Sequence, residues 1–507
     1  MKLTNRYSKP NKKSSNNNIS SKSKKNKNLI FVPTIIQLIA TTVFIFHIIN
    51  ANVVPDKYLL PLIIILVLFC ALNITLNFIK NKGLKVLNVL SSVILSIAFI
   101  LGTVGISTFL SVLTNITGIT YETTNMVVIV TSDNPAEDIF DASYCEFAVQ
   151  TYVDTENNDL MVEEIERVLD KTIEVTSYDN MIDQATALLN GEIDAMIIND
   201  ALTPLIEENL DGYLDNVKTI YSFGIILENE KETSETELDD EYISNLSISE
   251  EPFNIYISGI DTSGSISNKS RSDTNIIMSV NPVTKEILLT TTPRDYYVTF
   301  PTVTNGAYDK LTHAGIYGVD ASIAALEQLY DIKIDYYVKV NFTSVVNIID
   351  ALGGVEVYSE YSFECSHLSG FYVSKGTNTM NGTQALAFSR ERYAFSDGDN
   401  QRGKNQQQVI IGIINKAMSP SILTGLPSII ESVSDNFQTN LTSSEITEIL
   451  KMQIDDGASW NIETISATGY DSKDSCYSLG GANAYVMEPN TESVEAVKEA
   501  IAQLFGN

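Results

Sequence analysis

Three long apolar runs follow one another near the amino end of this 507-residue chain. They span Leu29–Ile49, Tyr58–Ile79 and Leu87–Leu113, and each has the roughly twenty residues that a helix needs to cross a bilayer. Buried core helices are the alternative, but soluble domains rarely hold three such runs so close together with almost no charge. A cleaved signal peptide does not fit, because the runs are long and multiple. The pattern predicts three transmembrane helices within residues 29–113.

Basic residues predict the orientation of these helices. Residues 1–28 hold nine Lys and Arg and no acid, which predicts a disordered basic tail on the cytoplasmic side. A second basic group, Lys80, Lys82 and Lys85, follows the second apolar run. Three crossings then place everything after about residue 114 outside the cell. We therefore expect a multi-pass protein of the cell membrane with an extracellular catalytic region.

The outer part of the chain is strongly acidic. Residues 126–507 hold 20 bases and 61 acids, so their net charge is −41. A domain with this field does not bind nucleic acid through its general charge, and the short tail carries no DNA-binding motif. Any phosphate must be held by a local basic pocket or by a metal ion. Among the outer cysteines, Cys365 and Cys476 are the candidate disulfide pair, which leaves Cys145 over.

Strands and helices mix throughout the outer part. Residues 126–228 predict a small α/β accessory domain without a catalytic constellation, for which a spacer or docking role is favoured over a ligand sensor. Residues 229–251 are acidic and polar and predict a linker. Residues 252–507 alternate strand and helix patterns, which predicts a second α/β domain built as a sandwich of layers.

An arginine cluster lies directly before an apolar helix predicted over Gln406–Met418. Arg390, Arg392 and Arg402 fall within thirteen positions, with Asp399 between them. Forked cations grouped in this way suit a phosphate or pyrophosphate, which they grip in a bidentate manner. A solvated charged loop is the alternative for this segment alone.

Further polar motifs stand at the ends of predicted strands. Asp261 ends one strand, and Arg271 and Asp273 enter the next, so the two carboxylates could share a hard cation such as Mg²⁺. For either carboxylate alone, a turn or capping role is the alternative. Arg294 follows a strand beside Asp295, where an ordinary surface ion pair is the alternative.

Lys310 and His313 form one more motif. Lys310 could meet a phosphate as a point charge, whereas a structural role for His313 is favoured over that of a catalytic base. Covalent catalysis is not indicated, because the chain shows no Gly-x-Ser-x-Gly elbow and no Cys/His pair. The chain also shows no Walker loop and no Rossmann glycine pattern.

Taken in order, these motifs resemble the LytR-CpsA-Psr (LCP) family of Gram-positive bacteria over about residues 253–487. The resemblance rests on Gly-Ile-Asp at 259–261, Arg-Ser-Asp-Thr at 271–274, Pro-Arg-Asp at 293–295, Lys-Leu-Thr-His-Ala at 310–314, Ile-Asp-Ala-Leu-Gly-Gly-Val-Glu-Val at 349–357, Gly-Thr-Gln-Ala-Leu-Ala-Phe-Ser-Arg-Glu-Arg at 382–392, and Arg402 with Gln406-Gln407. The accessory domain and the three spans resemble the capsule-linked branch.

The resemblance implies an α-β-α sandwich and an activity. These enzymes move a phosphoglycopolymer, such as teichoic acid or capsular polysaccharide, from a polyprenyl pyrophosphate carrier to a muramic acid hydroxyl of peptidoglycan. Asp261 and Asp273 would then hold Mg²⁺ (or Mn²⁺), while Asp399 would position Arg402 or assist the acceptor. Catalytic roles are thus expected for Asp273, Arg294, Arg392 and Asp399. The pyrophosphate would be bound by Arg271, Arg294, Lys310, Arg390, Arg392, Arg402 and Gln406.

The family also implies an apolar channel for the lipid tail, which Ile334–Val340 and Val345–Leu352 could line. Two positions depart from the family pattern: Asn405, where many members carry Arg, and Thr312-His313 in the fourth motif. Two other functions stay open at this point. One is a pyrophosphatase that uses water as the acceptor in the same pocket, and the other is a non-enzymatic regulator of the cell envelope, such as a transcription attenuator.

Overall fold

A computed structural model describes residues 31–117, 120–229, 247–260, 265–419, 429 and 437–506. The predicted basic tail, most of the acidic linker and the proposed metal ligand Asp261 lie outside these residues. The described residues form two compact units. One holds the chain up to Leu110 with Leu450–Asp455, and the other holds Ser111–Ile449 with Asp456–Asn507.

Three helices long and apolar enough to cross a membrane form the first part of the chain. They are α1 Val32–Ala51, α2 Asp56–Leu76 and α3 Lys82–Ile116. Helices suit such sequences because every backbone polar group is satisfied within the segment. The predicted apolar runs fall within a few residues of these helices.

Buried polar side chains join the three helices to one another. The Asn73 amide donates a hydrogen bond to Gln37 at 2.6 Å, and the Asn77 amide donates to Thr34 at 3.0 Å. Asn88 on α3 donates to the Asn77 side chain at 3.0 Å. In an apolar surrounding, such bonds fix which helix faces meet.

A five-stranded mixed sheet forms the accessory domain. Its strands are β1 Thr120–Thr131, β2 Phe147–Gln150, β3 Val175–Tyr178, β4 Ala195–Asn199 and β5 Val217–Asn229. They lie in the order β3-β2-β4-β1-β5, and β1 runs antiparallel to both of its neighbours. Helices α4 Thr155–Leu169, α5 Met181–Asn190 and α6 Thr203–Asn209 connect them.

Local sequence signals explain the bounds of α5. The Asn180 side chain accepts hydrogen bonds from the backbone N–H groups of Ile182 and Asp183, which caps the first turn. Gly191 ends the helix in the left-handed conformation that glycine adopts without strain.

A six-stranded sheet forms the centre of the larger domain. Its strands are β6 Phe253–Ile260, β7 Ser272–Asn281, β8 Glu286–Thr291, β11 Tyr336–Val340, β16 Phe437–Thr439 and β17 Asn461–Ser466. The spatial order is β16-β11-β6-β7-β8-β17, with β11 parallel to β6 and β17 parallel to β8. Short strands lie outside this sheet: β9 Tyr297–Thr299, β10 Tyr308–Lys310, β12 Val355–Ser359, β13 Phe363–Glu364, β14 Tyr372–Val373, β15 Gly376–Met380, β18 Gly469–Ser475 and β19 Asn483–Pro489.

Helices cover both faces of the central sheet. They are α7 Leu311–Tyr317, α8 Val319–Tyr330, α9 Phe342–Ala351, α10 Gly382–Arg390, α11 Asp399–Ala417, α12 Ser443–Asp456 and α13 Thr491–Phe505. Leu288 packs into a cluster with α8 and α13, whereas Ile287 and Leu289 pack on the other face against α11 and α12. Neighbouring residues of a strand point to opposite faces, so one strand serves both cores. The predicted α-β-α sandwich is confirmed.

The accessory sheet and the larger domain share one hydrophobic cluster. Val127 and Ile198 of the accessory sheet pack with Ile316, Leu479 and Val486 of the larger domain. The two sheets also belong to the same compact unit. The accessory domain is therefore packed against the catalytic region and does not depend on the acidic segment alone for its position.

The predicted disulfide between Cys365 and Cys476 is wrong. All four cysteines are free, and these two lie in separate hydrophobic clusters. Each fills its cluster as a small apolar side chain. Burial raises the pKa of the Cys476 thiol to about 12, so it stays protonated and unreactive at neutral pH.

Candidate functional site

The β6–β7 hairpin brings two of the predicted site residues, Arg271 and Asp273, to one end of the strands of the central sheet. Gly259 lies opposite Thr274, and a Cβ on Gly259 would lie 2.7 Å from the Thr274 Cβ, so no larger residue fits there. The register then shifts between Gly259 and Ile260. Arg271 and Asp273 lie next to this irregularity, at the start of β7, and both line a cavity.

Asp273 and Arg294 form a partly buried ion pair in this cavity. Nη1 of Arg294 lies 3.0 and 2.9 Å from the two carboxylate oxygens, and Thr312 donates a further hydrogen bond to Asp273 at 3.1 Å. Burial opposes ionisation of the carboxyl, but the charges of Arg294 and Arg402 outweigh burial and lower the pKa of Asp273. Asp273 is therefore a fixed anion that holds Arg294 in place.

Arg402 reaches the same cavity from helix α11. The predicted helix begins at Gln406, whereas the structure begins it at Asp399, so Arg402 stands on the first turn and not in a loop. Its Nη2 lies 2.8 Å from Asp399, three residues earlier on the same face. Burial lowers the pKa of Arg402, although the guanidinium remains charged.

Arg390 and Arg392 are held by aromatic rings. The Arg390 guanidinium lies 4.2 Å from the centre of the Phe342 ring, and Arg392 donates a 2.8 Å hydrogen bond to the Tyr393 hydroxyl. Within the described part of the chain, no carboxylate lies within 4.0 Å of either guanidinium. These two arginines therefore have the most capacity to take an external anion.

Most of the residues described so far line a single cavity of about 540 Å³, although Thr312 and Asp399 do not. Its polar part holds Arg271, Asp273, Arg294, Arg390, Arg392, Arg402 and Gln406. The remaining lining is largely aliphatic and comes from β6, β7, β11, α9, α10 and α11. Such a cavity can hold a ligand with an anionic head and a long apolar tail.

A family model for the LytR_cpsA_psr family matches residues 220–503, more than half of the chain. The chain belongs to the LytR-CpsA-Psr family. The membership predicted from the ordered motifs is confirmed. The matched residues include every arginine, aspartate and glutamine assigned to the predicted site.

Curated relatives of this LytR-CpsA-Psr protein include polyisoprenyl-teichoic acid–peptidoglycan teichoic acid transferases named TagU. The relative from Bacillus licheniformis is 35% identical over 200 residues, and that from Enterococcus faecalis is 36% identical over 203 residues. Each alignment covers 39% of this chain, with 63% and 65% of the respective relatives. The chain thus spans less than two thirds of the length of these relatives.

Solved structures of similar proteins include TagT bound to LI-WTA and TagV of Bacillus subtilis. The first is 28% identical and covers 52% of this chain and 95% of its own, with a TM-score of 0.43. The second is 29% identical and covers 51% of this chain and 98% of its own, also with a TM-score of 0.43.

Only parts of the two segments expected to line a lipid channel lie along this cavity. Val338, Val340, Val345 and Ile348 line the cavity, but Ile334 packs in the core under α8 and α13. Helix α11 also lines this cavity, although it was not expected to do so. Its side chains at Val409, Ile410, Ile413 and Ile414 line the cavity as well.

Helix α11 also explains one departure from the family pattern. Gln406 lines the cavity, whereas Asn405 is buried and donates a 3.3 Å hydrogen bond to the backbone oxygen of Phe388 at the end of α10. Gln407 donates to the backbone oxygens of Leu289 and Ile465, which ties the helix to strands β8 and β17. Asn405 thus has a structural role in this chain.

A second cavity of about 320 Å³ lies beside the first. It is lined by Glu208, Arg271, Pro293, Arg294, Asp295, Lys310, Thr312, His313, Arg392, Asp399, Tyr485 and Met487. Three arginines line both cavities, so the two are neighbouring parts of one site. Lys310 lines this second cavity and not the first, and its Nζ lies 3.7 Å from Asp295.

His313 is anchored as a structural residue. Its Nδ1 lies 2.7 Å from Asp309, and both side chains are almost fully buried. Asp309 also accepts hydrogen bonds from the backbone N–H and the hydroxyl of Ser478. Burial opposes ionisation of Asp309, but His313 and these hydrogen bonds lower its pKa. The structural role predicted for His313 agrees with this geometry.

The described residues offer one of the two predicted metal ligands. Asp273 supplies hard carboxylate oxygens at the polar end of the cavity, and Asp261 lies outside the described residues. No group of three or more His, Cys, Asp or Glu side chains that could hold a metal occurs in the described part of the chain. Mg²⁺ needs only one or two carboxylates when phosphate oxygens and water complete its shell. The residues present therefore fit a Mg²⁺ ion that the substrate helps to bind.

Proposed function

We propose that this protein transfers an anionic glycopolymer, either teichoic acid or capsular polysaccharide, from a polyprenyl pyrophosphate carrier to peptidoglycan. Membership of the LytR-CpsA-Psr family supports the assignment. The printed names of the TagU relatives describe transfer of a polyisoprenyl-linked teichoic acid to peptidoglycan. The capsule-type branch within the family is part of the same proposal.

The single observation that carries this proposal is the cavity of about 540 Å³ that joins an arginine-rich end to an aliphatic end. A polyprenyl pyrophosphate has the same two parts, an anionic head and an apolar tail. Residues 126–507 are strongly acidic, so a group of cations within them is best explained by a polyanion that they bind together. Arg390 and Arg392 have free capacity for the diphosphate, and Arg271, Arg294 and Arg402 lie in the same lining.

The reaction is phosphoryl transfer. A hydroxyl oxygen of peptidoglycan attacks the phosphorus next to the glycopolymer, a new P–O bond forms, and the bond to the bridging oxygen of the pyrophosphate breaks. Polyprenyl phosphate leaves with the bridging oxygen and its electron pair. Asp399 lines the second cavity beside Arg402 and is our candidate to receive the proton of the acceptor hydroxyl.

Positioning and charge stabilisation supply most of the catalysis in such a transfer. The ion pair with Asp273 keeps Arg294 fixed before substrate arrives, so little reorganisation is needed as charge develops. Asp399 does the same for Arg402. Arg392 has no such carboxylate among the residues that the structure describes, and it would move onto the leaving phosphate.

We further propose that Asp273 and Asp261 hold Mg²⁺ (or Mn²⁺) together with the substrate phosphates. When bound, the metal ion would neutralise charge on the diphosphate. The hydrogen bonds between Asp273 and Arg294 mean that the metal shares this carboxylate with the arginine. Dependence on a divalent cation is therefore a direct test of the ligand set.

We also propose that the three apolar helices cross the cell membrane, with the amino end in the cytoplasm and the cavity outside. Length and hydropathy support three crossings. The excess of Lys and Arg before the first helix supports the orientation. The cavity would then lie on the outer side of the membrane, where an exported lipid carrier is available.

A reconstituted transfer reaction tests the function. The full chain in detergent micelles or vesicles is incubated with lipid-linked glycopolymer and peptidoglycan, with and without Mg²⁺. We expect glycopolymer bound covalently to peptidoglycan and an equal amount of released polyprenyl phosphate. Release of free glycopolymer phosphate, whether or not peptidoglycan is present, would identify a pyrophosphatase. No turnover with bound carrier would support a regulator.

A further inference from the structure

One residue of the accessory domain reaches the cation cluster of the catalytic domain. Glu208 lies on α6, and its carboxylate lies 2.6 Å from Nη1 of Arg271 and 3.6 Å from Nζ of Lys310. The same carboxylate lines both cavities, and its side chain is 42% exposed. It is therefore open to whatever ligand enters.

The position of Glu208 is fixed by packing. Leu205 and Ile206, the residues three and two places before it, are fully buried in the cluster that joins the accessory sheet to the larger domain. Ile316 and Leu479 of the larger domain belong to the same cluster. The carboxylate is thus presented to the site by a packed interface and not by a loose surface loop.

The carboxylate divides the cations of the site into two groups. Arg271 and Lys310 have Glu208 as an anion, and Lys310 also lies near Asp295. Arg390 and Arg392 have no carboxylate within 4.0 Å among the described residues, as noted above. The first cavity is lined by five arginines and two carboxylates, whereas the second is lined by four cations and three carboxylates, of which Glu208 is one. The potential that attracts an anion is therefore stronger in the first cavity than in the second.

We propose that Glu208 is a specificity residue that the accessory domain contributes to the catalytic site. It disfavours an anion at Arg271 and Lys310, so the diphosphate binds on the side of Arg390, Arg392 and Arg402. The second cavity is then left for an uncharged, hydroxyl-bearing group. This inference rests on the proposed function, and it assigns the accessory domain a direct role in choosing which ligand occupies which cavity.

A merely structural ion pair predicts the opposite result on mutation. If Glu208 only held Arg271 in place, its neutralisation would leave that cation less well positioned, and anions would bind more weakly or equally well. If Glu208 competes with the anion, its neutralisation makes anions bind more tightly. The sign of the change in affinity therefore separates the two roles.

Binding of inorganic pyrophosphate to the full chain in detergent micelles, measured by isothermal titration calorimetry, gives this sign. We expect Glu208→Gln to bind about fivefold more tightly than the unaltered protein, because one nearby negative charge is removed at a partly screened site. Glu208→Asp keeps the charge and should stay close to the unaltered protein. Asp211→Asn makes the same change in net charge at an exposed position that lines neither cavity, and it should have no effect.

Affinity of Glu208→Gln that is weaker than, or within twofold of, the unaltered protein would overturn the inference. Equal tightening in Asp211→Asn would overturn it too, because the effect would then belong to net charge. If neither the unaltered protein nor any variant binds pyrophosphate, the proposed function fails along with it. Binding by the unaltered protein without a response to Glu208→Gln leaves the proposed function standing and removes only this inference.

Discussion

Nη1 of Arg294 donates hydrogen bonds to both carboxylate oxygens of Asp273, at 3.0 and 2.9 Å. Asp273 lies at the start of β7 and Arg294 shortly after the end of β8, 21 positions later in the chain. Both residues line the first cavity. The pair links the carboxylate that we expect to bind the metal to the cation that we expect to bind the diphosphate.

Replacement of Asp273 by Asn should abolish most transfer. The amide retains the shape of the side chain but loses the charge that fixes Arg294, and we expect at least a 10²-fold fall in transfer rate. The rate of polyprenyl phosphate release measures this. The matched control is Asp397→Asn, which removes a charge from an exposed position outside both cavities. Unchanged transfer in Asp273→Asn would remove this carboxylate from the mechanism.

Replacement of Arg392 by Ala should reduce transfer about 10²-fold with little change in melting temperature. The side chain is partly exposed and pairs only with the neighbouring Tyr393 among the described contacts, so the fold does not depend on it. Arg392→Lys should recover part of the rate, since it restores charge but not the fork. Arg167→Ala, an exposed arginine of the accessory domain, is the control. Full activity of Arg392→Ala would count against the proposed diphosphate site.

Replacement of Ile348 by Trp should separate binding of the lipid from binding of the head group. Ile348 lines the aliphatic part of the cavity, and the larger ring would fill space that the polyprenyl tail needs. We expect a higher KM for the lipid-linked substrate and an unchanged Kd for inorganic pyrophosphate. Val283→Trp introduces the same side chain at an exposed turn and should change neither value. An unchanged KM in Ile348→Trp would mean that the tail lies elsewhere.

Lys339 makes stability depend on pH at the joint between the two sheets. Its Nζ lies 3.9 Å from Glu122 of β1, and burial lowers its pKa to about 8, with partial compensation by Glu122. The unfolded chain keeps this lysine protonated up to about pH 10.4, so between pH 8 and 10 the unfolded state binds more protons. The free energy of unfolding contributed by this group therefore rises with pH in that window, by about 3 kcal/mol at most.

Chemical denaturation of the outer unit at pH 7.5 to 10 checks this linkage. We compare the unaltered protein with Lys339→Met, which keeps the apolar stem without the titrating group. As the pH rises, the free energy of unfolding of the unaltered protein should increase relative to that of Lys339→Met. A difference that stays constant across the window would show that Lys339 titrates normally in the folded state.

Much of the architecture follows from local sequence. The three apolar helices are predictable because about twenty consecutive apolar residues suffice for a membrane span, whatever surrounds them. The helix Val319–Tyr330 and the strand Tyr336–Val340 are of the same kind, because apolar spacing and flanking residues fix their bounds within a few positions. The start of α11 is the exception: polar residues at 399–405 carry no apolar spacing, so its first two turns were missed.

The site itself was predicted in composition but not in arrangement. The ordered motifs identified the family and named the arginines that line the main cavity. The outer location of the cysteines also suggested a disulfide that the structure excludes, because their positions in the sequence do not reveal which hydrophobic cluster each cysteine joins. The involvement of Glu208 left no signal, since it lies 63 positions before its partner Arg271 and in another domain.

The sequence by itself determined the helices, the strands, the family and the set of charged residues available for chemistry, because each depends on neighbouring residues or on an ordered series of motifs. Only the tertiary structure decided which of those charges meet. Strand order, the start of α11 and the packing of the accessory sheet bring Arg271, Arg294 and Arg402 to one cavity and Glu208 to its edge. Such meetings arise from contacts between residues far apart in the chain, and no local pattern encodes them.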